Sequence, residues 1–385
     1  MMLCKIAYLT SADPLDKRQS SGVYYYQAQA LKKLQIDLHF LGPVNNFIIN
    51  IIVKTFYILR CISKKKYNTG HSILISRIYG RIFSKKLKNG DYDFVFAEKA
   101  SCELAYLKTD LPVIYSTDAT FNLLLNYYPE FSNFFKVSEK EGNIVEQHAI
   151  NNSTLILCAT EWAAKSVIKD YKFPSSRVHI IPRGANIDRI PDKRIILAKR
   201  KTSVCRLLFM GKEWYRKGYD VAYKTMDYIR SKGFPVKLVA IGCLPPDEFV
   251  DNDVELIPSL NKNTKEGIDK FEKVMFSSDF FLLPTRAECM GIAFCESAAY
   301  GLPAITRDTG GITEIVKNGI NGYTLSFDSD HTEFGEKIIN IYCSDEKYYN
   351  LIRSSRKYFE ERLNWDVWGA NLKNILDDNF NFPRS

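Results

Sequence analysis

The sequence contains no Gly-x-Gly tripeptide, so the dinucleotide-binding fingerprint is missing. It has no GxxxxGK[ST] run either, which argues against a phosphate loop of the NTPase kind. HExxH and GxSxG are also absent. Nine cysteines (4, 61, 102, 158, 205, 243, 289, 295, 343) are scattered, odd in number and without a CxxC. A chain of 385 residues needs no staples, so they read as small apolar residues in a reduced cytosol. The five histidines do not cluster with cysteines at metal-ligand spacing. The opening MMLCKIAYLTSADP lacks the charged start, long apolar core and cleavage site of a signal peptide. The longest apolar stretch, 47–62, is interrupted by Lys54 and Arg60. It is shorter than the ~20 residues that span a bilayer, which rejects a transmembrane helix.

What is present is ordinary globular material, with 46% hydrophobic and 25% charged residues. Length suggests two or three domains. The net charge of +9 is confined to one place. Residues 45–90 hold Lys54, Arg60, Lys64, Lys65, Lys66, Arg77, Arg81, Lys85, Lys86 and Lys88 and no Asp or Glu. Without those ten cations the remainder carries −1, so the protein is near-neutral with one basic segment.

Short apolar runs alternate with helical patterns throughout. Strands are expected at 5–9, 37–41, 94–97, 113–115, 154–158 and 178–181, then at 207–210, 237–241, 254–257, 280–283 and 304–306. Continuous apolar runs of this length suit strands buried on both faces of a parallel sheet. The alternation predicts an α/β fold of two Rossmann-like, doubly wound domains facing a central cleft. The first domain is expected over 1–183, a connection over 184–204, the second domain over 205–360, and a C-terminal helix over 361–385 that returns to the first domain.

The chemistry concentrates in 279–323. Glu288 falls on a loop after a buried strand, and Glu296 falls about one turn inside the following helix. Two carboxylates so placed can share one crevice and grip sugar or ribose hydroxyls. Gly310 and Gly311 precede another helix, where bare N–H groups approach an anion closely. Lys212 and Lys217 follow the first strand of the second half, where a diphosphate would need cations. Taken singly, Glu288 is an exposed loop acid, Glu296 a solvated helix face, and 212–217 an ordinary basic loop. The joint pattern favours a site. The tripeptides Asp91-Tyr92-Asp93, Asp251-Asn252-Asp253 and Asp328-Ser329-Asp330 could hold a metal on a nucleotide, but read as loop punctuation.

Residues 288–303, ECMGIAFCESAAYGLP, resemble the E-x-F-G-x-x-x-x-E-A-x-x-x-G-x-P signature of family 4 glycosyltransferases of GT-B fold. Gly310 to Val316 and Asn318 to Tyr323 are similar to that family's next two blocks. Gly211-Lys212 and Lys217-Gly218 resemble its G-R…K-G block, Ser21-Gly22-Val23 its first glycine loop, and 181–188 the segment closing its first domain. The resemblance implies that Lys212 and Lys217 hold the diphosphate of a nucleotide-sugar. It implies that Glu288 contacts donor-sugar hydroxyls and Glu296 the ribose, and that Met290, Gly291, Ile292, Gly310 and Gly311 touch phosphates and sugar. Gly22 would approach the donor from the other domain. Transfer would retain the anomeric configuration without a metal or cofactor.

Three positions depart from the pattern. Met290 replaces a Phe, Lys212 replaces an Arg and loses its bidentate fork, and Asp118 stands where many members carry a His. Asp118 is either a catalytic group, holding a sugar hydroxyl or acting as a base, or a helix N-cap or turn residue.

Two helices are read across the basic segment. Arg77, Arg81, Lys85 and Lys88 form a helical stripe, and Lys64, Lys65 and Lys66 follow the apolar helix at 47–62. Either both helices lay their apolar sides on the sheet with cations in water, or the segment meets an anionic membrane near the acceptor entrance. Nucleic acid is disfavoured, since no binding module accompanies the charge.

The reading is a glycosyltransferase moving a sugar to a glycan or lipid-linked acceptor in surface polysaccharide or glycolipid synthesis. It would be cytoplasmic, at the inner face of the membrane if the segment binds there. A GT-B epimerase or phosphorylase, and a non-catalytic membrane-binding relative, are the alternatives.

Overall fold

A computed structural model describes residues 4–380 and contains two parallel six-stranded sheets. The chain divides into two compact units, Met1–Ile181 with Gly369–Ser385, and Pro182–Trp368.

In the first unit the strands are β1 (Lys5–Leu9), β2 (Asp37–Phe40), β3 (Phe94–Glu98), β4 (Val113–Thr117), β5 (Leu155–Cys158) and β6 (Val178–Ile180), in the order β2-β1-β3-β4-β5-β6. Every residue of β3, β4 and β5 is buried, as expected of central parallel strands covered by helices on both faces. The chain winds outward from β1 to β2 and then returns to β3. Winding therefore reverses between β1 and β3, which opens a crevice at their carboxyl ends. The helix Val23–Lys33 buries Val23, Tyr26, Gln27, Ala30 and Leu31, the i, i+3, i+4 spacing of one helical face.

The second unit holds β7 (Cys205–Met210), β8 (Val236–Ile241), β9 (Val254–Ile257), β10 (Phe280–Leu283), β11 (Ala304–Arg307) and β12 (Gly322–Leu325). Their order is β12-β11-β10-β7-β8-β9, with the winding reversal between β7 and β10. Leu207, Leu208, Phe209 and all of β10 are fully buried. Each such side chain stabilises by about 1.5–3 kcal/mol relative to exposure.

The eleven expected strands appear within two residues at each end. The twelfth, β12, carries no strand signal because it begins with glycine and lies half exposed at a sheet edge. Gly322 is needed there: a Cβ would sit 2.0 Å from the Ala304 carbonyl oxygen.

The stretch 184–204, expected as a connection, lies within the second unit. Its helix Lys193–Leu197 is capped by Asp192 and buries Ile196. Residues 361–380 are not one helix. Asp345–Arg362 ends first, and Asn364 then accepts from the N–H groups of Asp366 and Val367 to start Trp365–Asn379. From Gly369 that second helix belongs to the first unit, where Phe380 stacks on Phe94. Residues 381–385 of the expected C-terminal helix lie outside the described residues.

Candidate functional site

The loops leaving β7 and β10 at the winding reversal are bound into one structure. After β7, a helical turn Trp214–Lys217 ends on Gly218 at φ +80°, and Tyr219–Ser231 starts from the same residue. A Cβ on Gly218 would lie 2.0 Å from the Pro284 carbonyl oxygen, so glycine lets the two loops touch. Arg286 N–H donates to the Arg216 carbonyl at 2.7 Å, and the Arg216 guanidinium donates to the Ala287 carbonyl at 2.8 Å. Arg286 in turn forms a fork with Asp220 at 2.7 and 2.8 Å. Asp220 is held below the usual carboxylate range by that guanidinium, although burial alone would push it up.

This frame brings Lys217 and Glu288 together as an ion pair with little solvent access. A Cβ on Gly211 would strike the Lys217 stem at 2.6 Å, so the glycine after β7 makes room for the lysine. Glu288 is followed by Met290, which is buried, and by Gly291 at φ +80°, the first residue before the helix Ile292–Ala299. No side-chain cap satisfies the leading N–H groups of that helix. Gly311 N–H donates to the Cys289 carbonyl at 2.9 Å, which ties the Gly310–Gly311 turn to the Glu288 loop. Lys212, by contrast, is exposed on the loop.

Glu296 lies within Ile292–Ala299 and is buried. Burial pushes its carboxyl above the usual range, and Lys262 pulls it back. Lys262 Nζ donates to Glu296 at 2.6 Å and to the Asn186 carbonyl at 3.1 Å, while Trp365 Nε1 donates to the Asn186 side chain at 2.9 Å. Lys262 was not singled out from sequence. It sits in the Asn261–Thr264 loop after β9, where a lysine among asparagines looks like a solvated turn.

In the first unit Asp118 follows β4 and pairs with Lys99 at 2.7 Å. Lys99 follows β3 and adopts φ +48°, a backbone region that non-glycine residues rarely occupy. The N-cap alternative for Asp118 is wrong. Thr120 caps Phe121–Leu124 instead, its hydroxyl accepting from Leu123 N–H at 3.4 Å. Gly22, at φ +90°, ends a left-handed run with Ser20 and Ser21 and starts Val23–Lys33.

In the basic segment Lys64 is the left-handed C-cap of the helix Phe47–Ser63 and Lys65 is exposed. Lys66 is held by the Pro129 carbonyl. Arg77 lies over the Tyr106 ring, and Arg81, Lys85 and Lys88 are exposed along the helix Ile73–Lys88. Ile75, Phe83 and Leu87 bury the other side of that helix. The expectation that both helices lay their apolar sides on the sheet fails for Phe47–Ser63, of which only Ile49 is buried.

Two of the Asp-x-Asp tripeptides are ordinary structural features, and the third supplies a helix cap. Asp251 and Asp253 hold Arg230 at 2.9 and 2.8 Å, and Asp93 accepts from Lys5 N–H at 2.7 Å. Asp330 caps His331–Tyr342 in a capping box with Glu333.

Comparison with known proteins gives a consistent picture. The family "Glycosyltransferase Family 4" matches residues 23–189 and "Glycosyl transferases group 1" matches residues 205–344. Spore coat protein SA of Bacillus subtilis (strain 168) is 22% identical over 321 residues, covering 78% of this chain and 82% of that protein. The structure of WaaG, a glycosyltransferase involved in lipopolysaccharide biosynthesis, superposes with a TM-score of 0.63 at 15% identity over 97% of this chain and 99% of its own. HepE of Anabaena, solved in complex with UDP and glucose, gives 0.66 at 14% identity over 97% and 100%. No helix among the described residues is long and apolar enough to cross a membrane. Motifs, sheet order and family matches agree that this chain belongs to the family 4 glycosyltransferases of GT-B fold.

Proposed function

We propose that the enzyme transfers a glycosyl group from a nucleoside-diphosphate sugar to a glycan or lipid-linked saccharide, with retention at the anomeric carbon and without a metal. The observation that carries this reading is the enclosed Lys217–Glu288 pair at the winding reversal of the second sheet, beside the uncapped, glycine-headed helix Ile292–Ala299. Without donor, each charge neutralises the other in a site poor in water. With donor, Lys217 turns to the diphosphate and Glu288 to sugar hydroxyls, so one pair is exchanged for two charge-assisted contacts. HepE, solved with UDP and glucose, supports a donor of this class.

In the reaction the bond from the anomeric carbon to the phosphate oxygen breaks, and the acceptor oxygen bonds to that carbon and gives up its proton. Lys212, Lys217 and the N–H groups around Met290–Ile292 stabilise the departing diphosphate. Fixed donors of this kind supply about 3–4 kcal/mol each. Gly310 and Gly311 let backbone approach the phosphates, and Glu296 takes the ribose hydroxyls in exchange for Lys262. Asp118 holds a sugar hydroxyl or receives the acceptor proton. Work in surface polysaccharide or glycolipid synthesis fits the similarity to WaaG, a glycosyltransferase involved in lipopolysaccharide biosynthesis.

The test is release of nucleoside diphosphate from a panel of nucleotide-sugars, after a thermal-shift screen selects donors that raise the melting temperature. Release that requires an acceptor supports transfer. Conversion of the donor sugar with no acceptor present would overturn it in favour of an epimerase.

A further inference from the structure

Phe47–Ser63 carries an apolar face that the described residues of the first unit leave uncovered. Twelve of its seventeen residues are apolar. Ile49, Ile52 and Phe56 form the packed side. Ile49 meets Ile75 and Cys102, with Ile52 against the same cluster, and Phe56 stacks on Tyr67 at 3.8 Å between centroids. A second apolar side faces outward: Phe47 is 77% exposed, Ile48 57%, Ile51 48%, Ile58 59% and Ile62 76%. At 3.6 residues per turn these five fall within one arc of roughly 100°.

The charge along this segment has one sign, and the Glu130 carboxylate shares a cleft with Phe56, Arg60 and Lys66 on the side away from the exposed arc. Lys54 is exposed at its flank, Lys64 and Lys65 are exposed just past its end, and residues 45–90 contain no carboxylate. A second copy of the chain would bring the same cations together, so self-association is disfavoured. A nucleic acid would meet the cations and leave the isoleucines in water. A bilayer with anionic head groups satisfies both features, offering acyl chains to the apolar arc and negative charge to the lysines. Seventeen residues rise about 26 Å, short of the ~30 Å hydrocarbon core, so the helix fits the plane of the interface and does not span it.

We propose that Phe47–Ser63 is an interfacial membrane contact. It lies flat on an anionic bilayer with Phe47, Ile48, Ile51, Ile58 and Ile62 in the acyl boundary and Lys54, Lys64 and Lys65 among the head groups. The neighbouring stripe of Arg77, Arg81, Lys85 and Lys88 adds only long-range attraction, because its apolar partners Ile75, Phe83 and Leu87 are already packed inward. The inference stands on the surface of the first unit and does not rest on the transfer reaction.

The experiment is sedimentation of the full chain with phosphatidylcholine vesicles, with and without phosphatidylglycerol. Wild type pellets with the anionic vesicles. Ile58→Glu with Ile62→Glu lowers partitioning by about tenfold or more, with an unchanged melting temperature, since both positions are exposed. Lys64→Glu with Lys65→Glu removes the preference for phosphatidylglycerol. Three results would overturn the proposal: wild type remaining in the supernatant, the double isoleucine variant pelleting like wild type, or a concentration-dependent dimer that this variant disperses while no vesicles are bound.

Discussion

Replacing Lys262 by Met tests whether the second unit depends on a charge pair between a loop and a helix distant in sequence. Glu296 is 5% exposed, and its carboxylate accepts from Lys262 Nζ at 2.6 Å. Met keeps most of the lysine stem and removes the ammonium, whose Nζ lies 4.2 Å from the Phe271 ring centroid. Breaking a fully buried pair costs about 3–5 kcal/mol because it strands the remaining ion. The Lys262 side chain is 25% exposed, so water offsets part of this, and we expect a loss of about 2–3 kcal/mol. At about 2–4 °C per kcal/mol for a unit of this size, the melting temperature falls by roughly 4–12 °C near neutral pH. The folded-state pKa of Glu296 lies above its unfolded value, so the folded protein holds the proton more tightly and loses stability as pH rises through that window. Removing Lys262 raises the pKa further. The deficit therefore shrinks as pH is lowered toward 5, and Glu296→Gln in the same chain recovers most of it. Differential scanning fluorimetry of K262M and K262M/E296Q at pH 5 and 7.5 measures both effects. An equal deficit at the two pH values, or no recovery in the double variant, would refute the reasoning.

Glu288→Gln and Lys217→Ala should each lower turnover by about 10²–10³-fold, with near-native circular dichroism. Nucleoside diphosphate release reads the rate, and normal rates in both variants would remove the pair from the mechanism. Gly218→Ala places a Cβ 2.0 Å from the Pro284 carbonyl at φ +80°. It should destabilise by about 3 kcal/mol and weaken donor-induced thermal stabilisation, because Lys217 moves with it. Asp118→Asn, if Asp118 takes the acceptor proton, should lower kcat by about 10²-fold and leave donor affinity unchanged. Steady-state kinetics with calorimetry separates these, and an unaltered kcat assigns Asp118 to structure.

Most strands could be read from the sequence because a buried parallel strand is a short apolar run in any context. The edge strand β12 escaped because glycine and half-exposed residues carry no such run. Glu288, Glu296 and the glycines stand in one local block, so spacing alone placed them on a loop, a helix and its entry. Lys99 and Lys262 had no such block. Each becomes a site candidate only by facing a carboxylate that the fold delivers from elsewhere in the chain. The apolar pattern at 47–62 could not show which side is covered, because Ile49, Ile52 and Phe56 look no different in sequence from Ile51, Ile58 and Ile62. A helix apolar all round ordinarily signals burial.

The alternation of apolar runs already defined a two-domain α/β chain, because period and propensity act along the chain, and the resemblance of the 288–303 block implied a family 4 glycosyltransferase. Tertiary structure decided which charge neutralises which, that Thr120 rather than Asp118 caps its helix, and which apolar face meets no partner. Coulomb energy and burial depend on distance through space, and residues such as Glu296 and Lys262, 2.6 Å apart in the fold, carry no trace of that distance in their order along the chain.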